Sequence, residues 1–147
     1  MEQAVKSLFI LLFFSVSLFC APLQWSHDYF KALSEAKKEH KLIYVLIVSD
    51  TCGWCKKFEK TTLQNTKIKE RVNKEFVTVL LSRDRHAIPK FLKTSPVPRH
   101  YFLDETGKIL YASLGYRDEE MFNAFMDNAQ EHYEILKDEN YETSTDK

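Results

Sequence analysis

Apolar and polar positions alternate along this chain with periods that change from segment to segment, and each period predicts an element. From Trp25 to His40 the residues Tyr29, Leu33 and Ala36 recur on one helical face, with Ser26 as a candidate cap and Lys37, Lys38 and Glu39 in the last turns. This predicts an amphipathic helix. Leu42 to Val48 is an unbroken apolar run rich in β-branched residues. It is too short for a core helix and predicts a central strand buried on both faces. A helix then runs from Cys55 through Phe58 toward Leu63, and Asn65 caps a second helical piece carrying Ile68 and Val72. Phe76 to Leu81 is the next strand, at the distance from the first that a right-handed β-α-β crossover between parallel strands requires.

The second half of the chain reads differently. Ser82 to Leu92 is polar, with a short turn around Ala87 to Leu92 limited by Pro89. Thr94-Ser95-Pro96-Val97-Pro98 is extended, because each proline restricts itself and the residue before it. Arg99 to Leu103 and Ile109 to Ala112 predict an antiparallel hairpin turning over Asp104-Glu105-Thr106-Gly107. Asp118 caps a last helix in which Phe122, Phe125, Met126, Ala129, Tyr133 and Leu136 recur at helical spacing as core contacts. The polar stretch 138–147 is expected to fray. No internal repeat or linker interrupts the chain.

The N-terminus is of another kind: Met1 to Lys6 is polar, Leu8 to Phe19 almost wholly apolar, and Pro22 closes the run. This predicts a signal peptide over residues 1–20, cut before Ala21, since the apolar block falls short of the roughly 20 residues that span a bilayer. Retention as a membrane anchor is the alternative. Lipidation of Cys20 is disfavoured by the bulky Phe19 before it. Residues 21–137 then form one domain, with 44% apolar and 14% aromatic content in the 147-residue chain sufficient for an ordinary core. Lys plus Arg and Asp plus Glu number 21 each. That balance offers no electrostatic case for nucleic acid or an anionic membrane surface as partner.

Once the leader is removed, the cysteines left are Cys52 and Cys55, in Cys52-Gly53-Trp54-Cys55 between the central strand and a lysine-rich helix. Sulfurs at i and i+3 on a first helical turn can share a short disulfide and open it again. Unpaired N–H groups and partial positive charge at a helix start stabilise a thiolate at Cys52, and thiols in such motifs fall from about 8.5 to roughly 3.5–7.5. Lys56 and Lys57 push the same way. Asp50 opposes them if its carboxylate faces the sulfur; alternatively it caps the helix, as Thr51 also could. A structural zinc needs about four ligands. No cysteine follows Cys55 and His86 and His100 lack zinc spacing, so dithiol chemistry is expected and no metal site.

The order strand, C-x-x-C helix, strand, proline-preceded strand, hairpin and closing helix resembles the thioredoxin fold over essentially all of the mature chain. The implied class is α/β: a central mixed sheet flanked by helices, with a C-terminal antiparallel hairpin and closing helix. The resemblance implies a cis proline at Val97-Pro98 and a groove in which the Val97 backbone, Pro98 and Trp54 bind an extended substrate segment beside the sulfurs. Phe102-Leu103-Asp104, Gly107 and Gly115-Tyr116 look like small exported thioredoxin-like proteins related to the C-terminal domain of the Dsb-type membrane reductase. Val97-Pro98-Arg99 is also similar to thioredoxin-like proteins of the endoplasmic reticulum. Ser144-Thr145-Asp146-Lys147 is not a retention tetrapeptide, and the expectation is a bacterial periplasm.

What this implies is a monomeric periplasmic thiol–disulfide oxidoreductase, working as a reductase without a bound cofactor. Cys52 attacks, Cys55 resolves, the substrates are protein dithiols and disulfides, and a membrane redox partner recharges the pair. The alternative is a binding module that holds a protein partner near Trp54 and Val97, or a metal through Cys52 and Cys55. Two departures from the family stand out. Gly53-Trp54 replaces the Gly-Pro of cytosolic thioredoxins and the Pro-His of the strong Dsb-type oxidant, and Leu42 to Val48 lacks the buried acid of many thioredoxins. Proton transfer at Cys55 is left to water, Glu59 or another group, and the simplest reading of Glu59 is a solvated carboxylate paired with Lys56 or Lys60.

Overall fold

A computed structural model describes residues 21–145; the predicted leader, 1–20, lies outside them. The chain runs β1 (Trp25–Ser26), α1 (Tyr29–Glu39), β2 (Leu42–Val48), α2 (Gly53–Lys60), α3 (Thr66–Glu75), β3 (Phe76–Ser82), β4 (Arg99–Leu103), β5 (Ile109–Leu114) and α4 (Glu119–Thr145). Short 3-10 turns at Thr62–Gln64 and Lys90–Leu92 join α2 to α3 and precede β4. The sheet order is β1-β3-β2-β4-β5, with β1, β3 and β2 parallel and β4 and β5 antiparallel. This is the mixed sheet and closing helix of the thioredoxin fold.

Every residue of β2 is buried. Because side chains alternate along a strand, its apolar run feeds two cores. Leu42, Tyr44, Leu46 and Val48 join Phe58, Phe102, Phe122, Met126 and Ala129 on one side, while Ile43, Val45 and Ile47 join Ala32, Ala36, Val79, Leu81 and Leu103 beneath α1. At the hairpin, Gly107 has φ +93°, and a Cβ there would lie 2.7 Å from the Tyr29 hydroxyl. The turn therefore needs glycine twice over, for its backbone angle and for its closeness to α1.

The structure departs from the sequence reading at both ends of the domain. Trp25 and Ser26 are not the start of a helix but a strand paired with Thr78 and Val79. The first helix starts at Tyr29, capped by Asp28, whose Oδ1 accepts from the N–H groups of Phe30 at 2.9 Å and Lys31 at 3.1 Å. Ser26 instead donates its hydroxyl to the Asp28 carbonyl. Asp28 wins the cap because β1 completes the sheet edge, where the Thr78 hydroxyl also donates to the Gln24 carbonyl. At the other end α4 continues through Thr145, past Leu136 where its apolar spacing stops, so the expected frayed tail is helical backbone to that point.

Candidate active site

The sulfurs stand where β2 hands over to α2. Cys52 is itself the N-cap of that helix, a role expected of Asp50 or Thr51, and its Sγ accepts the Cys55 N–H at 3.0 Å. The helix accordingly begins at Gly53 rather than at Cys55. Cys52 and Cys55 are joined as a disulfide with Cα atoms 5.3 Å apart. Cys52 is half-buried, whereas Cys55 is 1% exposed, packed in the core with Phe58. An incoming sulfur can therefore reach the first cysteine and not the second.

The charges around this turn are sorted by contacts far along the chain. The Asp50 carboxylate neither caps α2 nor stands free: it accepts from the Ser82 hydroxyl at 2.9 Å and from Arg85 Nε at 2.9 Å. The Ser82 hydrogen bond above all, with help from Arg85 and His86, holds it below the usual carboxylate range against the opposing effect of desolvation. Its negative charge is paired with Arg85. Lys57 places its ammonium 5.0 Å above the Trp54 ring and 4.7 Å above that of Tyr116. Lys56 is exposed, and so is Gly53, where an added Cβ would meet nothing within 4 Å. Glu59 differs from its expected form. Among the described residues it makes no ion pair with Lys56 or Lys60, and partial burial pushes its carboxyl up, with Lys56 pulling it back.

The Val97–Pro98 peptide is cis, as the resemblance implies, and Pro98 is buried. Beside it a cavity of about 360 Å³ is lined by Trp54, Val97, Pro98, Gly115 and Tyr116. All three predicted groove residues meet there. Trp54 is 60% exposed and tilts toward Tyr116 with ring centroids 5.9 Å apart. A larger hollow of about 620 Å³, lined by Arg83, His86, Lys93 and Ser95 among others, lies on the connection from β3 to β4 and has neither cysteine nor Pro98 in its wall. Among the described residues no set of three or more His, Cys, Asp and Glu side chains could hold a metal ion.

Sequence reasoning missed two residues beneath the groove. His100 on β4 is fully buried, with Nδ1 2.8 Å from the Tyr44 hydroxyl and Nε2 3.0 Å from the Gly115 carbonyl. A carbonyl can only accept, so Nε2 carries the proton and Nδ1 accepts from Tyr44. The one visible signal is a histidine and a tyrosine set into otherwise apolar strands. Burial, aided by Arg117 and Arg99 and opposed by the Gly115 bond, lowers the His100 pKa from 6.5 to about 4. Between those values the unfolded chain holds more protons than the folded one, so stability falls as pH falls through that window and is full above it. The expected loss by the lower limit is about 3 kcal/mol. Urea unfolding across the window, with His100→Leu as control, measures it; an equal acid-side slope in both proteins would count against the burial-driven shift.

The family described as thioredoxin-like domain matches residues 29–130. Among curated proteins, spermatogenesis-associated protein 20 of Rattus norvegicus is 35% identical over 63 residues, 43% of this chain. That match covers 8% of the relative's own length, so it speaks for one segment of a much longer protein. Among solved structures, a DsbH oxidoreductase superposes with TM-score 0.60 at 24% identity, covering 74% of this chain and 85% of its own. The oxidised C-terminal domain of Neisseria meningitidis DsbD gives TM-score 0.61 at 19% identity, covering 72% and 99%. At such identities these likenesses establish the fold. Because the family match runs from the start of α1 well into α4, taking in the dithiol, the cis peptide and the groove between them, the chain belongs to the thioredoxin-like domain family.

Proposed function

We propose that this protein is a thiol–disulfide oxidoreductase that works as a reductase on exported proteins in a bacterial periplasm. The observation that carries the reading is the asymmetry of the dithiol: a reachable Cys52 at a helix N-cap beside an apolar groove, and a buried Cys55 one turn on. In the reduced protein the Cys52 thiolate attacks one sulfur of a substrate disulfide, and that disulfide's other sulfur leaves as thiolate. Cys55, once deprotonated, attacks Cys52 Sγ and expels the second substrate thiolate. Two electrons have then passed to the substrate, and the chain holds the disulfide seen here. A membrane dithiol partner returns them. The apolar run Leu8 to Phe19 supports export to the periplasm.

The reductase direction rests on how little favours the thiolate beyond the helix start. Cys52 receives the Cys55 N–H, but Gly53-Trp54 brings no histidine and the Lys57 ammonium is turned over the aromatic rings. A strong oxidant near −120 mV owes its potential to a stabilised reduced form, whereas thioredoxin lies near −270 mV. The expected potential is below about −200 mV. Equilibration in glutathione buffers with counting of free thiols measures it, and a value near that of the strong oxidant overturns the direction. Insulin reduction tests the activity itself. No turnover, together with stoichiometric zinc after purification, would replace this reading by that of a metal-binding module.

A further inference from the structure

One wall of the groove is held from below by a fully buried residue of β4, His100. Gly115, at φ +92°, donates its N–H to the Pro98 carbonyl at 2.8 Å and offers its own carbonyl to His100 Nε2 at 3.0 Å. Both polar groups of this residue are thereby committed, one to the groove floor and one to the core. The His100 ring lies parallel to Tyr44, whose hydroxyl it receives, and edge-on to Phe58 of α2 with centroids 4.9 Å apart. It is a fixed bridge between β2, α2 and the turn after β5. The next residue, Tyr116, carries the contact to Trp54, the Lys57 ammonium and an oxygen 3.3 Å from the Thr61 hydroxyl. A shift of Gly115 moves that whole face.

An apolar side chain of similar size would fill the space under the groove, yet leave the half-buried Gly115 carbonyl without its protein donor and the fully buried Tyr44 hydroxyl without its acceptor. The imidazole is therefore placed for the wall, not for the volume. We propose that His100 is the positioning residue of the substrate groove, holding the Gly115–Tyr116 wall against Pro98 so that an extended apolar polypeptide segment flanking a disulfide can bind. This rests on the oxidoreductase reading of the same site. A small disulfide needs only the sulfur of Cys52, so it is indifferent to the wall.

Steady-state reduction of insulin and of a small aryl disulfide by the wild-type protein and by His100→Leu separates the two demands. The substitution is expected to raise KM for insulin about fivefold to tenfold with kcat little changed, through loss of the His100–Gly115 hydrogen bond that holds the wall. The small disulfide and the dithiol potential stay at their wild-type values. His100→Gln, whose amide N–H can stand where Nε2 stands, restores KM to within about twofold. An unchanged KM in His100→Leu, or equal losses for both substrates, overturns the proposal. If the wild-type protein reduces neither disulfide, the oxidoreductase reading fails, and the wall is tested separately by nitrogen-15 NMR of the wild-type ring. The expected result is a proton on Nε2 coupled through its hydrogen bond to the Gly115 carbonyl; a proton on Nδ1, or no coupling, sinks the proposal without any enzyme assay. The same spectrum decides the matter if His100→Leu does not fold.

Discussion

On the proposed oxidoreductase reading, Cys52→Ser is expected to reduce disulfide exchange to below about a thousandth of the wild-type rate, because no thiolate is left at the position a substrate sulfur can reach. The loss is chemical rather than structural. Serine is among the best N-cap residues, and its Oγ can take the Cys55 N–H that Sγ now accepts at 3.0 Å. The closed loop is so short that losing its disulfide costs only about 2 kcal/mol by loop-closure entropy. Cys55→Ser has the opposite signature. Cys52 still attacks, nothing expels the substrate, and the mixed disulfide accumulates as a covalent adduct visible by mass spectrometry until an external thiol releases it. Wild-type turnover by the Cys52→Ser protein would refute the assignment of the nucleophile.

Phe58→Ala is expected to lower the unfolding free energy by about 3–5 kcal/mol, the usual cost of emptying a phenylalanine site in a packed core. Phe58 is 0% exposed, and its ring meets Phe122 at 5.2 Å, His100 at 4.9 Å and Tyr116 at 6.5 Å. It is the side chain that seats the dithiol helix on the sheet and on α4. Against a total stability of roughly 5–15 kcal/mol, the loss removes much of the margin. Urea unfolding should show a lower midpoint with an unchanged slope. A drop smaller than about 1 kcal/mol would mean that α2 is not anchored through this contact.

The parts of the molecule that were legible in the sequence are those whose physics is local or periodic. Leu42 to Val48 announces a doubly buried strand because both faces demand apolar side chains, and the structure buries all of it. Val97-Pro98 was legible through the family resemblance. Trp25–Ser26 was not, since two residues carry no period, and Ser26 and Asp28 are both chemically fit to cap a helix. The orientation of Asp50 depends on Ser82 and Arg85, more than 30 residues away, and no spacing rule reaches that far. His100 and Tyr44 are 56 residues apart and satisfy each other, which makes each look locally like an anomaly in an apolar strand. The helical backbone of α4 beyond Leu136 is equally silent, because a helix with no apolar face leaves no hydrophobic stripe to read.

The short first strand also sets an orientation. Ala21 is fastened by its carbonyl to Asn73 Nδ2 at 3.1 Å, and β1 then runs parallel to β3 and β2. Residue 21 therefore enters at the foot of the sheet, while Cys52 follows the top end of β2. Seven residues of extended strand separate those levels, about 23 Å at the usual rise. A chain still tethered to a bilayer at residue 20 would have almost no slack and would stand upright, presenting its sulfurs away from the lipid surface. Any membrane donor of electrons would then have to lift its own thiols by about the height of this domain to meet them, whereas a chain cut free before Ala21 could tumble and dock from any side.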